Sequence, residues 1–378
     1  MALSLWGNER AKFFKLLGLP ARQTVVLSSE DIVKESTAVI PYPWHQKQWQ
    51  HFLEQCQQQR LPHAILLSGS AGIGKKQLAE AMANYLLCQT PQSGLPCGGC
   101  RGCRLLRSMS HPDKHLIYPE EKARQIKVDQ LRELSSKICE TAQQGGRKIV
   151  IIEPTECLNI NAANALLKSL EEPAGNTVFI LISHSLSMTL PTIRSRCQLI
   201  KLPIPDRQLT SAWLSQRDIG EAADGLLWLA SGAPLKAVQY FEDAVAGQLS
   251  SFYKGLAKQS DLPVANVSLA SEWQTINIDI LLDWWLQLVH RLILQQQNWA
   301  LPQSEDTRSE LIMDLQTLLK RTQGCKSSWL HRFYDKLLTI KKQYLQGANP
   351  NRQLLLEELL LDWYAITRLT NQLPGEGQ

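Results

Sequence analysis

Cys88, Cys97, Cys100 and Cys103 bring four thiols into sixteen consecutive positions, spaced Cys-x8-Cys-x2-Cys-x2-Cys. Thiolates at that density suit a tetrahedral divalent metal, and Gly94, Gly98, Gly99 and Gly102 let a short backbone wrap around an ion. No ligand position is left open for water, so the expectation is a structural zinc. An iron–sulfur cluster competes, because Cys-x2-Cys-x2-Cys occurs there too. Against it, the fourth thiol lies upstream and the downstream Cys-Pro of such clusters is missing. Four free buried thiols are the third reading.

A second group of residues has the spacing to meet phosphate. In Gly69-Ser-Ala-Gly-Ile-Gly74-Lys75-Lys76 the glycines let backbone N–H groups face phosphate oxygens at a helix N-terminus. The pattern requires a hydroxyl after the lysine to hold Mg²⁺. Lys76 stands there instead, and an ammonium repels a cation rather than ligating it. The other half of such a site is an acidic pair at the end of a core strand, one acid assisting the metal and one activating water. Glu153 stands for the first acid. Pro154 occupies the second place and has no proton-accepting group, while Glu156 comes two residues late and needs a rearranged loop. Two lesions in one site argue against ATP hydrolysis. They leave residual ATP binding by Gly69, Gly72, Gly74 and Lys75 open, beside the plainer reading of a glycine-rich turn without a ligand.

The elements around these residues follow an alternating pattern. Ala64–Leu67, Lys148–Ile152, Thr177–Ile182 and Gln198–Leu202 are short apolar runs separated by helical sequence, and a helix is expected over Lys75–Cys88. The loop therefore follows a strand and opens a helix, which is the setting in which it has chemical meaning. Residues 42–204 read as an α/β domain with a mainly parallel sheet, interrupted at 88–103 by the cysteine module. Residues 1–41 read as a peripheral N-terminal extension. After Pro205 the strand signals stop, and apolar residues recur at helical spacing, as in Leu281, Leu282, Trp285, Leu288 and Leu292. This half is expected to be all-helical, with a small domain over 205–269 and a larger bundle over 270–378. It holds eight of the eleven tryptophans, read as core rather than as ligand contacts.

Composition narrows the classes further. No run of 18 apolar residues occurs, so no membrane span is expected. The N-terminus mixes Glu9 and Arg10 into its apolar residues and does not make a secretory signal, which points to the cytoplasm. A net charge of +5 is mild for 378 residues and does not by itself argue for nucleic acid. Cys56, Cys139, Cys157, Cys197 and Cys325 are isolated and read as small buried residues.

Asn164-Ala-Leu-Leu-Lys168-Ser-Leu-Glu-Glu172-Pro173, followed by Ser195-Arg196-Cys197, completes the pattern. Behind a degenerate phosphate loop and a four-cysteine insert, this order resembles the clamp-loader branch of the AAA+ family, strongly to residue 204 and moderately beyond. Asn351-Arg352-Gln353-Leu354-Leu355 also looks like the end of that family's collar domain. The resemblance implies an AAA+ P-loop α/β domain with a zinc-binding insert, followed by an all-helical lid and a helical collar. It also implies a ring of subunits that opens the beta sliding clamp and loads it on primer-template DNA. The expected partners are gamma/tau and delta clamp-loader subunits, with DNA met through the assembled complex and no membrane. Leu235, in Ser231-Gly232-Ala233-Pro234-Leu235-Lys236, falls where the family's lid helix carries an arginine, a third departure from an active ATPase.

By the same resemblance, Arg196 is expected to act in trans as an arginine finger on a neighbour's ATP. The alternative is a surface arginine paired with a local acid. For the whole chain the leading reading is a non-hydrolysing clamp-loader subunit of a DNA-directed DNA polymerase, and the alternative is an active ATPase of the gamma/tau type. A zinc-dependent nucleic-acid binder is a third class, disfavoured because Arg101, Arg104 and Arg107 with few aromatics make no stacking platform.

Overall fold

The computed structural model describes residues 39–368 apart from 121–122, 145, 218–225, 228, 243–244, 260–264, 298–309, 323 and 346. Of the N-terminal extension over 1–41, residues 1–38 lie outside the described residues, as do Trp228 and Trp299. The chain divides into two compact units, Met1–Leu209 and Thr210–Gln378.

The first unit is built on a five-stranded parallel sheet in the order β2-β3-β4-β1-β5. Its strands are β1 (Ala64–Ser68), β2 (Lys114–Ile117), β3 (Lys148–Ile152), β4 (Thr177–Ser183) and β5 (Gln198–Lys201). Strands β1, β3 and β4 are buried along their whole length, as expected of uninterrupted apolar runs with both faces covered. β1 pairs with β4 and β5, and β3 with β4 and β2, all in parallel. The parallel arrangement brings the ends of β1, β3 and β4 to one edge of the sheet, where ligands of open α/β folds bind.

β2 was not among the four strands read from the sequence. Its Lys-His-Leu-Ile sequence mixes charge with apolar residues, and Leu116 is exposed. It is an edge strand, so one side has no partner strand and the apolar signal stays weak. Around the sheet, helix Gln46–Gln57 buries Trp49 and Phe52, which pack edge-on against Tyr85 of helix Lys75–Leu87. Helix Ile160–Glu171 begins at Asn159, whose side chain accepts from the Ala162 N–H at 2.8 Å, and buries Ala162, Ala163, Leu166 and Leu170.

The second unit is helical throughout its described residues, with no strand among them. Trp285 sits at its centre with ring centroids 5.4 Å from Phe252, 5.3 Å from Phe333 and 5.2 Å from Trp363. Trp273, Trp284, Trp285 and Trp363 are fully buried, which agrees with a core role, whereas Trp329 is exposed. Trp285→Ala is expected to cost about 3–5 kcal/mol, because the surrounding rings cannot close over the missing indole. Urea denaturation followed by far-UV circular dichroism measures this, and a loss below about 1 kcal/mol would contradict the aromatic core. No helix among the described residues is long and apolar enough to cross a membrane.

Candidate functional site

The phosphate loop leaves β1 at Gly69, where only glycine fits. A Cβ there would stand 2.4 Å from the Leu202 carbonyl oxygen at the end of β5. Gly74, at φ +91°, is the second fixed point, because a Cβ would meet the Tyr42 ring at 2.4 Å. Tyr42 stacks on Trp44 with ring centroids 4.7 Å apart, and the Trp44 indole N–H donates to the Ile73 carbonyl at 2.8 Å. The chain ahead of the first helix thus closes over the loop, a contact that no local sequence signal announced. His45 is buried beside it, and burial together with the Lys75 charge lowers its pKa to about 4.

Lys75 is buried, and its ammonium donates to the Gly69 and Ser70 carbonyls, each at 2.6 Å. Burial lowers its pKa to about 8, opposed by the charges of Glu156 and Glu153. Lys76 points outward, yet its Nζ lies 3.7 Å from Glu153 Oε2. The Glu153 carboxyl is itself raised by burial, against the pull of Lys76 and Lys75. Glu156 is engaged elsewhere. Its Oε1 accepts from the His184 N–H at 2.5 Å, the Ser185 N–H at 2.6 Å and the Ser183 hydroxyl at 3.2 Å. It ties the end of β3 to the end of β4, a use that its sequence position did not suggest.

The four cysteines converge. Cys88 follows helix Lys75–Leu87, and Cys103 lies in helix Arg101–Arg107, whose first turn is capped by Cys100. All four Sγ atoms lie within 4.8 Å of one another, with Cys88–Cys100 and Cys97–Cys103 at 3.9 Å. A tetrahedral zinc with Zn–S bonds of about 2.3 Å requires sulfurs about 3.8 Å apart, so the donor set fits that ion. The backbone N–H groups of Cys97, Cys100 and Cys103 donate to the sulfurs of Cys88, Cys97 and Cys100 at 3.2–3.4 Å, which favours the thiolate forms a metal needs. Gly94 and Gly98 have positive φ, and a Cβ at Gly102 would stand 2.5 Å from the Leu87 carbonyl oxygen. Gly99 is different: a Cβ there meets nothing within 4 Å.

Arg196 follows the short helix Pro191–Arg194 and is brought to Glu171. Its Nε donates to Glu171 Oε1 at 2.6 Å, with Nη2 on the same oxygen, and Nη1 donates to the Thr192 carbonyl at 3.0 Å. Leu235 lies near the start of helix Pro234–Glu242 in the second unit.

The first unit is thus a parallel α/β unit with a phosphate loop and a thiol-built insert, and the second is helical throughout its described residues. A family model described as DNA polymerase III, delta subunit, matches residues 44–206, and one described as DNA polymerase III, delta subunit, C terminal, matches residues 248–365. A curated relative from Pseudomonas aeruginosa named DNA polymerase III subunit delta' is 39% identical over 341 residues, covering 89% of this chain and 99% of the relative. Proteins of the same name from Yersinia pestis and Escherichia coli are 32% and 39% identical; the matches span 85% and 53% of this chain and 95% and 61% of theirs. The chain belongs to the family of DNA polymerase III delta-prime subunits.

Proposed function

We propose that this chain is a cytoplasmic, non-hydrolysing clamp-loader subunit that helps place the beta sliding clamp on primer-template DNA. In this reading a small helical lid over 205–269 is followed by a collar over 270–378, through which the chain assembles with gamma/tau and delta subunits. Its cysteine module holds a structural zinc, and Arg196 serves the ATP site of a neighbour.

The observation that carries the reading is Lys76, with its ammonium 3.7 Å from Glu153. In an active site of this type a hydroxyl and an acid share Mg²⁺, and here a side-chain ammonium faces the acid instead. The occupied Oε1 of Glu156 supports it further, since that oxygen is committed to the end of β4. The isolated chain is expected to release phosphate from ATP no faster than background. Lys76→Thr alone should not restore turnover, because Pro154 still supplies no base. Steady release by the native chain, abolished by Lys75→Ala, would establish an active ATPase instead. Co-purification with gamma/tau and delta subunits tests the assembly role, and failure to form that complex would contradict it.

A further inference from the structure

Resting on the reading of Arg196 as a finger, we propose that Glu171 is the residue that positions it. The guanidinium is held on several sides: by Glu171 through Nε and Nη2, and by the Thr192 carbonyl at 3.0 Å and the Ser195 hydroxyl at 3.3 Å through Nη1. These partners are not equivalent. Thr192 and Ser195 lie four residues and one residue before Arg196 on the same short turn, so they move with it. Glu171 is 25 residues away, at the last position of helix Ile160–Glu171. That helix is capped at Asn159 and buries Ala162, Ala163, Leu166 and Leu170 in the α/β core. Among these partners, Glu171 alone ties the guanidinium to something rigid outside its own turn.

Helix stability does not explain the carboxylate. The C-terminal end of a helix carries partial negative charge, so an acid there is disfavoured and a cation favoured. Glu171 stands in the unfavourable place, and the guanidinium of Arg196 offsets it. The pair is only partly covered, with side-chain exposures of 32% for Arg196 and 51% for Glu171. It therefore adds little to stability but fixes the plane of a flexible side chain. A guanidinium has five N–H donors. The contacts to Glu171, Thr192 and Ser195 use four of them, which leaves one N–H of Nη2 and the charge to face outward. Restricting the finger in advance lowers the ordering cost when a neighbour's phosphate arrives.

The test uses the complete clamp-loader ring, with DNA and clamp present, and compares Glu171→Ala, Arg196→Ala and the double variant. Glu171→Ala is expected to lower the single-turnover rate at the one site that Arg196 serves by roughly 10-fold with KM little changed, while ring assembly on gel filtration stays intact. In the Arg196→Ala background it should have no further effect, since there is no longer a guanidinium to position. Glu171→Asp should recover less than Glu171 itself, because the shorter arm ends short of Nε. If Arg196→Ala leaves turnover unchanged, the finger reading falls and this inference with it. If Arg196→Ala lowers turnover but Glu171→Ala leaves it unchanged or raises it, the finger stands and the positioning role is overturned. A further loss in the double variant would likewise overturn it, by showing that Glu171 acts independently of Arg196.

Discussion

Cys100→Ser is expected to strip the metal from the chain and unfold residues 88–103, while the five-stranded sheet remains. A serine hydroxyl stays protonated at neutral pH and is a poor replacement for a thiolate on zinc. With one ligand lost, the three remaining sulfurs lose tetrahedral closure, even though the serine hydroxyl can still accept from the Cys103 N–H at the helix start. The module has little else to hold it. Besides its cysteines and Gly102, the buried residues it contributes are Leu95 and Pro96, and burying the leucine is worth about 1.5–3 kcal/mol. Structural zinc in small modules contributes about 10–16 kcal/mol of apparent binding free energy, so the metal dominates. The sheet has its own core in β1, β3 and β4 and does not depend on the insert. Elemental analysis of the native chain should give about one zinc per molecule, and the variant far less. Limited proteolysis should then cut within 88–103, with the far-UV circular dichroism of the remainder preserved. Iron in the native protein, or no metal after preparation under reducing conditions, would rule out a zinc module.

What could be read from the sequence follows from where each signal is stored. β1, β3 and β4 are buried on both faces, so composition alone revealed them, whereas β2 lies at the edge and keeps Lys114, His115 and an exposed Leu116. The thiol cluster was legible because its ligands are held close by short spacing and flexible glycines. The phosphate loop was legible because strand, loop and helix are contiguous. Contacts between distant segments were not. Nothing in the spacing says that Tyr42 covers Gly74, that Glu156 reaches the end of β4, or that Glu171 meets Arg196. The direction of each side chain is set by loops whose course depends on the assembled sheet. Glu171 lies inside the Asn164–Pro173 motif, yet its partner comes from a different element. A paired surface arginine and a trans finger were the two readings of Arg196, and the structure supplies the local acid of the first without excluding the second. While Glu171 holds the guanidinium, one N–H of Nη2 and the positive charge are left to face a neighbour's phosphate.

Arg196→Ala is expected to lower ATP turnover by the assembled ring while leaving this chain folded and in place. In nucleotide hydrolases, an arginine supplied to the γ-phosphate contributes on the order of 10³–10⁵ in rate by meeting charge that develops in the transition state. The loss at the one site that Arg196 serves should approach the lower end of that range. The loss over the whole ring is smaller if the other sites turn over independently and larger if they fire in concert. Single-turnover measurements with radiolabelled ATP separate the two, because the affected site then appears as a slow phase. Folding is not at stake. The Arg196–Glu171 pair is partly exposed, and pairs of that kind contribute about 0–1 kcal/mol. Arg196→Lys should recover little, since a lysine ammonium is a point charge and lacks the planar fork that can hold Glu171 along one edge and still face a phosphate. A merely structural role for Arg196 predicts the opposite pattern: near-native turnover in both variants, with any deficit tracking a drop in melting temperature or in ring assembly. An unchanged rate in an Arg196→Ala ring of confirmed composition would remove the finger and leave the chain a scaffold for the sites around it.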